Sequence, residues 1–340
     1  MPAKLTHLKT LHADDGAKRG PMTVSQVRFH PAGRFVLAAC ADRRAAVWDL
    51  DAAAVAVKNV TAVPGRFACP HAAGWVRCLA VSPDGKWVAT GGSDRRLKLW
   101  AWADGTPADT PARDVEAHAG WVEAVAFSPD GKRLVTGGAD HLVKVWNAAD
   151  LSPVEALKGH AGFVRDAAFV PDGSAFVSGG EDGKLLVWDA KSFAVRSVTF
   201  GGVNEQSGQN PDLCGVHRLS VSRDGKWLAA AGGKNLTVFA LATGDAVAQD
   251  KTDAQVCFSP AADVLAAGTN AARVVAYDAA KFAPGKPDKT GRPTAPPALP
   301  GRELGQVKLG DFSLGMHFSA DGRRLGLGRA DGKVEVWEVS

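Results

Sequence analysis

A short pattern recurs along this chain at intervals of 38 to 60 residues, and it constrains the fold more than any other feature. The clearest copies span residues 74–100, 120–146 and 162–188. Each has a Pro-Asp-Gly turn, a Gly-Gly-x-Asp motif and a Trp that follows a short apolar run. Such self-similarity predicts stacked structural repeats, so the 340 residues are expected to form one repeat domain rather than two ordinary domains.

Weaker copies extend the pattern to seven units. Short β-prone runs such as Val125-Ala126-Phe127 and Leu134-Val135-Thr136 alternate with turn residues. Each unit is therefore predicted to hold four strands, with an aromatic residue at the end of the third. Those residues are Trp48, Trp100, Trp146, Trp188, Phe239, Tyr277 and Trp337.

Glycine is unusually frequent, with 38 residues in the chain. The Gly of Pro-Asp-Gly suits a turn position with positive φ, and Gly-Gly-x-Asp is expected to supply a second turn in each unit. Two glycine turns per unit would account for the excess. A four-stranded unit cannot bury both of its faces alone, so the units are expected to stack around an axis.

Trp48-Asp49, Trp188-Asp189, the Gly-Gly-x-Asp motifs and the His before the first strand resemble WD40 repeats. The Ser-Pro-Asp-Gly turns resemble the bacterial-style form. The resemblance covers nearly the whole chain and implies an all-β fold, a seven-bladed WD40 β-propeller with residues 1–340 as its single domain. In that family an N-terminal strand closes the last blade, and Lys4–His12 resembles that strand.

Units two to four each place a His, a Thr or Ser, an Asp and a Trp at nearly fixed offsets. Ser-His-Asp sets suggest hydrolase chemistry, but a catalytic triad should occur once and open onto a cleft. In the WD40 family the same residues form a buried hydrogen-bond chain, so we expect structural tetrads and no catalytic residue. The tetrads are His71, Thr90, Asp94, Trp100; His118, Thr136, Asp140, Trp146; and His160, Ser178, Asp182, Trp188.

The entrances of the first strands should converge on one face of a propeller, around its axis. The alignment places aromatic and charged residues there from consecutive units, and Trp and Arg are enriched at binding hot spots. The alternative is that the aromatics only pack against neighbouring turns. The predicted partner-binding residues are Trp75, Arg77, Trp121, Glu123, Phe163, Arg165 and Phe312. The remaining central positions are mostly Thr, Gly and Ala, which disfavours an enzymatic channel.

The chain's net charge of +4 lies in one segment. Residues 281–302 contain six prolines and five basic residues against Asp288 alone, and they are predicted to be an extended loop insertion. That loop is either a solvated insertion or a docking motif for a proline-recognising or acidic partner. The turn 201–211 is either a flexible insertion or a flap over a ligand.

The sequence lacks the signals of several kinds of binding site and of secretion. The sequence has no phosphate-binding loop, no metal-ligand spacing and no paired cysteine motif, so no cofactor and no metal are expected. The five cysteines fit reduced thiols, and the first residues lack the apolar core of a secretory signal. With no long apolar run and little net charge, neither membrane nor nucleic-acid binding is expected. The expected location is the cytoplasm, and the composition is typical of a bacterial protein.

The sequence therefore favours a monomeric, non-catalytic scaffold that binds a protein or peptide on the face where the first strands enter. The alternative is an enzyme or small-molecule-binding propeller that uses the mouth of the central channel. The partner's identity does not follow from the sequence.

Overall fold

The computed structural model of the protein describes residues 5–12, 23–52, 55–57, 60–62, 66–199, 215–232, 235–250, 254–269, 273–282, 299, 301–305 and 313–340. These residues form an all-β, seven-bladed propeller. Each blade is an antiparallel sheet built on four strands, and in blades one to six these strands follow one another along the chain. The first strand of every blade contacts the first strands of both adjacent blades, so the seven first strands surround the axis.

The strand bounds repeat the same plan from blade to blade. The first strands are Val24–Phe29, Val76–Val81, Val122–Phe127, Val164–Phe169, Arg218–Val221, Ala254–Phe258 and Ser313–Phe318. The second strands are Phe35–Cys40, Trp87–Gly92, Arg133–Gly138, Ala175–Gly180, Trp227–Gly232, Val264–Thr269 and Arg324–Arg329. The third strands are Ala45–Asp49, Arg96–Ala103, Val143–Asn147, Lys184–Asp189, Asn235–Ala240, Arg273–Asp278 and Lys333–Val339. The fourth strands are Arg66–Ala68, Arg113–Glu116, Pro153–Leu157, Val195–Thr199, Ala246–Asp250, Gly301–Gly305 and Leu5–His12.

A few elements lie outside this plan. Val55–Val57 and Val60–Ala62 form a small hairpin between the third and fourth strands of blade one, and Thr106–Pro107 pairs with the end of the third strand of blade two. The helical content of the described chain is one 3₁₀ turn, Ala279–Lys281. No helix among the described residues is therefore long and apolar enough to cross a bilayer.

The N-terminal strand completes the last blade, as the sequence predicts. Leu5–His12 runs antiparallel to Lys333–Val339, with Leu5 opposite Val339 and His12 opposite Lys333. The pairing places Lys333–Val339 inside the sheet and gives blade seven the same outer fourth strand as the other blades. Lys4, the predicted start of this strand, lies outside the described residues.

The apolar core lies between the blades. In the described chain the buried apolar side chains fall into seven clusters, one at each junction of consecutive blades. At the junction of blades seven and one, Leu11 of the closing strand and Val334 pack with Val24 and Trp48. Each sheet thus buries one face against the blade before it and the other against the blade after it, which is why a single unit would not fold alone.

The two glycine motifs have different roles. Gly85 and Gly131 of Pro-Asp-Gly have φ values of +73° and +70°, as a turn requires. Gly-Gly-x-Asp does supply the second turn, since the amide of His141 donates to the carbonyl of Gly138 at 3.2 Å. Its glycines are not needed for the turn conformation, because Gly137 and Gly138 end the second strand of blade three and neither has a positive φ. A Cβ on Gly137 would lie 2.5 Å from Cγ1 of Val164 in the next blade. Because Gly137 has no side chain, Val164 of the next blade can pack directly against the strand.

The predicted insertions are only partly described. At the ends of segment 281–302, Lys281 closes the 3₁₀ turn and Gly301–Gly305 forms the fourth strand of blade six, so this strand takes the last two residues of the predicted loop. Leu299 is buried against blades five and six. Phe282 is buried in the same cluster, and the rest of this segment and the whole of 201–211 lie outside the described residues.

Closure by the N-terminal strand can be tested at two leucines of that strand. Leu11 is fully buried and Leu8 is 42% exposed. We expect Leu11→Ala to lower the free energy of unfolding by about 2–5 kcal/mol, since it removes buried methyl groups and leaves a cavity. Leu8→Ala, the matched control, should change it by about 0.5 kcal/mol or less. Equal urea denaturation midpoints for the two variants would contradict the closure.

Candidate interaction surface and buried tetrads

Blade three shows how one tetrad is built. His118 lies before the first strand, and its Nδ1 donates to Asp140 Oδ1 at 2.8 Å, because a carboxylate can only accept. The Thr136 hydroxyl lies 2.7 Å from His118 Nε2 and accepts from Trp146 Nε1 at 2.9 Å. Asp140 Oδ2 also accepts from the amide of Ala119. The chain of hydrogen bonds links the entrance of the blade to its second and third strands.

Blades two and four repeat this arrangement. In blade two, His71 contacts Asp94 at 2.8 Å and Thr90 at 2.9 Å, and Trp100 donates to Thr90 at 2.9 Å. In blade four, His160 contacts Asp182 at 3.0 Å and Ser178 at 2.8 Å, and Trp188 donates to Ser178 at 2.9 Å. The three hydroxyl residues have no exposed surface. The structure thus brings together all twelve residues that the sequence groups into tetrads.

The second glycine of Gly-Gly-x-Asp makes room for the histidine. A Cβ on Gly138 would lie 2.3 Å from His118 Nδ1 and 2.4 Å from the Asp140 carboxylate. Gly92 and Gly180 stand in the same relation to His71 and His160. The motif is therefore part of the tetrad, a relation that the spacing in the sequence contains but that turn chemistry alone does not reveal.

The aspartates of the tetrads titrate below their ordinary range. Burial raises the pKa of Asp140, but the hydrogen bond and charge of His118 and two backbone amides outweigh it and lower that pKa to about 2. The same causes lower the pKa values of Asp94 and Asp182. These carboxylates are therefore charged at neutral pH.

In two other blades the Trp at the end of the third strand has a buried indole N–H with no acceptor in the described part of the chain. Trp48 Nε1 in blade one and Trp337 Nε1 in blade seven have no hydrogen-bond partner among the described residues. In blade one, Ala38 stands in the second strand opposite Ala46, so no hydroxyl is available. The fold therefore tolerates the loss of the tetrad where apolar packing is kept.

The predicted aromatic residues of blades two, three and four form one continuous arc. The indoles of Trp75 and Trp121 are 46% and 43% exposed, and the Arg77 guanidinium lies 3.8 Å from the Trp121 ring centroid and 5.6 Å from that of Trp75. The Phe163 ring meets Trp121 edge to face at 6.5 Å, and Arg165 lies 5.4 Å from the Phe163 ring centroid. We call Trp75, Arg77, Trp121, Glu123, Phe163 and Arg165 the ring face.

Carboxylates hold the two arginines of the ring face in place. Glu123, whose side chain is 7% exposed, pairs with Arg77 at 3.0 Å and with Arg165 at 3.3 Å. Arg165 also pairs with Glu181, and Arg77 donates through Nε to the Ser93 hydroxyl at 2.8 Å. Ser93 and Glu181 are absent from the predicted set, although each stands at the variable position of a Gly-Gly-x-Asp motif, a signal that could have found them. Phe312, the seventh predicted residue, lies outside the described residues.

A β-bulge aims these charged side chains. The register of the first strand shifts at Arg77, Glu123 and Arg165, where one extra residue stands opposite the second strand. A bulge bends a strand and redirects the side chain of the extra residue. The three residues therefore occupy equivalent positions in blades two, three and four, next to the aromatic residue that precedes each strand.

The axial channel holds polar side chains beyond the strand entrances. A cavity of about 440 Å³ is lined by Arg28, Asp166, Arg218, Gln26 and Gln255 as well as by apolar side chains. The prediction of mostly aromatic residues, Thr, Gly and Ala concerned only the entrance of each first strand, and the cavity does not test it. The polar residues lie further along the same strands.

Metal-binding and thiol groups are limited in the described part of the chain. No three His, Cys, Asp or Glu side chains come together there as a metal site. Cys40, Cys69, Cys78 and Cys257 are buried free thiols, and burial raises the pKa of Cys40 to about 12. Cys214 lies outside the described residues.

The sequence matches a known repeat family in four places. The family described as "WD domain, G-beta repeat" (WD40) matches residues 7–49, 66–101, 109–147 and 151–189. These stretches cover most of blades one to four, so the chain carries four WD40 repeats within a seven-bladed arrangement. WD40 propellers generally act as protein-interaction scaffolds and are typically non-catalytic.

Curated relatives match over a short stretch. Pleiotropic regulator 1 of Bos taurus, of Mus musculus and of Homo sapiens is 53% identical to this chain over 32 residues. The match covers 9% of this chain and 6% of each relative. This length is less than one blade, so the likeness concerns a repeat and not a whole protein.

The contribution of a tetrad to the free energy of unfolding can be measured by removing its hydroxyl, with a buried hydroxyl outside any tetrad as the control. Thr136→Val leaves Trp146 Nε1 and His118 Nε2 without their partner, so we expect a loss of about 1–3 kcal/mol in the free energy of unfolding. Thr237 is equally buried, but its Oγ1 has no partner among the described residues. Thr237→Val should therefore be neutral or stabilising. Chemical denaturation that ranks the two variants the other way would contradict the tetrad's role.

The depressed pKa of Asp140 predicts an acid dependence. Because this pKa is lower in the folded chain than its ordinary value of 3.8, Asp140 contributes stability above about pH 4 that is lost as the pH falls toward 2. We expect the difference in unfolding free energy between wild type and Asp140→Asn to shrink over that interval. Asp109→Asn, at an exposed aspartate, is the control for loss of one carboxylate. A constant difference between pH 5 and pH 2 would refute the assignment.

Proposed function

We propose that this chain is a non-catalytic scaffold that binds a protein or peptide partner on the ring face. The observation that carries the proposal is the pair of exposed indoles, Trp75 and Trp121, with the Arg77 guanidinium between them. They are the most exposed large aromatic side chains of the described chain. Exposed aromatic clusters are uncommon on proteins that bind nothing, and Trp and Arg dominate interface hot spots.

The fixed geometry of the ring face supports tight binding. Arg77 makes ionic hydrogen bonds to Glu123 and a hydrogen bond to Ser93, so its side chain is ordered before a partner arrives. Ordering side chains in advance lowers the entropy that binding must overcome. Its stacking on two indoles leaves an apolar surface with a charged centre, which suits a partner segment that offers both an apolar side chain and an acceptor group.

The tetrads support the non-catalytic part of the proposal. Each repeats the order of contacts found in a Ser-His-Asp triad, but the hydroxyl is fully buried and already accepts from a Trp indole. A nucleophile without access to substrate cannot act, so we assign the three tetrads to blade stability. Turnover or a bound metabolite in the purified protein would instead favour the alternative, an enzyme or small-molecule binder at the channel mouth.

Other properties stay predictions. We expect the scaffold to be a cytoplasmic monomer that binds neither nucleic acid nor a membrane, and to need no cofactor. The bacterial origin indicated by composition is likewise a prediction. Whether segments 201–211 and 281–302 take part in binding is open to the same experiment, with residues 201–211 and 283–298 deleted separately so that buried Phe282 and Leu299 are kept.

Affinity purification from the native cell tests the ring face. We expect the double variant Trp75→Ala, Trp121→Ala to lose the wild-type partner, with at least tenfold less recovered, while its thermal melt stays unchanged. Val154→Ala with Val195→Ala is the matched control, because both valines are exposed apolar residues away from the ring face. Arg77→Ala should weaken recovery as well. A partner profile that is the same for the double variant and wild type would overturn the proposal.

A further inference from the structure

The axial cavity opens on the face opposite to the ring face. Its lining comes from the first strands of all seven blades and from the turns that follow them, such as Pro31, Pro83, Pro129 and Pro260. None of the ring-face residues lines it. At about 440 Å³ it lies within the range of small-molecule sites, roughly 300–1,000 Å³.

Arg218 crosses the channel and forms one end of the cavity. From blade five its Nη2 donates to the carbonyl of Ser25 in blade one at 3.0 Å, and its Nε donates to Gln255 in blade six at 2.9 Å. Its Nη1 donates to the carbonyl of His217 at 2.9 Å. The side chain therefore connects three blades across the axis, and it lies toward the ring-face end, since Ser25 is at the entrance of its strand.

Arg28 is the cation with fewest partners in this cavity. Its Nη1 donates to the carbonyl of the adjacent Val27 at 2.9 Å, and it forms no ion pair with any other described residue. Burial lowers the pKa of Arg28, with the charge of Asp166 acting in the opposite direction. Arg28 is half-buried at the cavity wall and has no carboxylate partner of its own among the described residues, so a bound anion would supply the missing counter-charge.

The nearby carboxylate does not neutralise both arginines. Asp166 is buried, and its two oxygens accept from the amides of Ala167 and Leu219, each at 2.9 Å. The charged side chains that line the cavity are therefore two guanidinium groups and one carboxylate, which leaves an excess of positive charge. Half-buried His317 accepts from the amide of Phe29 through Nδ1, and desolvation lowers its pKa to about 3, so it is neutral at pH 7.

The walls of the cavity are largely apolar. Phe127, Phe169 and Phe258 line it together with aliphatic side chains. Apolar walls strengthen the attraction between a guanidinium and an anion, because they keep the local dielectric constant low. They also offer surface to the organic part of a ligand.

We propose that this cavity binds a small organic molecule through a phosphate or carboxylate group, with Arg28 and Arg218 as the ligands of the oxyanion. The ligand enters from the face of the Pro-Asp-Gly turns, and its apolar part lies against the phenylalanine walls. This site is independent of the proposed partner surface, because no residue is shared between them.

Isothermal titration calorimetry with phenyl phosphate, benzoate and inorganic phosphate tests the site. We expect one of the two aromatic probes to bind with 1:1 stoichiometry, and the probe that binds identifies phosphate or carboxylate as the recognised group. Inorganic phosphate should bind more weakly than phenyl phosphate if the walls contribute. Absence of binding by both aromatic probes would overturn the proposal.

Variants locate the binding in the cavity. Arg28→Gln should weaken the probe's affinity at least tenfold, and Arg28→Lys should keep part of it, with thermal melts showing that both variants fold. Arg95→Gln is the control, because Arg95 is exposed and pairs with Glu116 on the outside of blade two. The double variant Trp75→Ala, Trp121→Ala should bind the probe as wild type does, so failure of one proposal leaves the other standing. Equal affinity for Arg28→Gln and wild type would refute the anion site.

Discussion

Apolar packing between consecutive sheets is the interaction on which the rest of this structure depends. Each of the seven buried clusters takes its members from two neighbouring blades. No blade can therefore bury its faces until both neighbours are present, and the last junction exists only because Leu11 and Val334 meet Val24. The polar tetrads are added to this packing in blades two, three and four, and blades one and seven show that it holds without them.

The same radial arrangement gives the molecule two chemically different ends. At one end the strands enter, and β-bulges there direct Arg77, Glu123 and Arg165 toward exposed aromatic rings. At the other end the strands leave into Pro-Asp-Gly turns around a cavity that holds Arg28. Arg218 lies between the two ends and hydrogen-bonds from blade five to the carbonyl of Ser25 in blade one.

The sequence was sufficient for features whose cause is local or repeated. Blade number, the closing strand and the grouping of tetrad residues follow from a repeated spacing, and three copies of one pattern make the fixed offsets visible. The role of Gly138 did not follow, because its small size serves an imidazole that is distant in the chain and not a turn.

The cavity could not be predicted for a related reason. Arg28, Asp166 and Arg218 come from blades one, four and five and meet only because the sheet ring closes. The arc of Trp75, Trp121 and Phe163 was predictable, since the same position was aromatic in three consecutive units. The bulge that aims Arg77 was not, because it depends on how the first and second strands pair.

Pairing of Leu5–His12 with Lys333–Val339 has a consequence for how the chain is made. At about 5–20 residues per second, a ribosome takes roughly 15 to 65 s to reach the third strand of blade seven after it has made the closing strand. Throughout that interval Leu5 and Leu11 have no blade to bury them, and blade one lacks the neighbour on one of its faces. The strand that precedes all others of the propeller in the chain is thus among the last to find its place, and the ring stays open until Lys333–Val339 emerges.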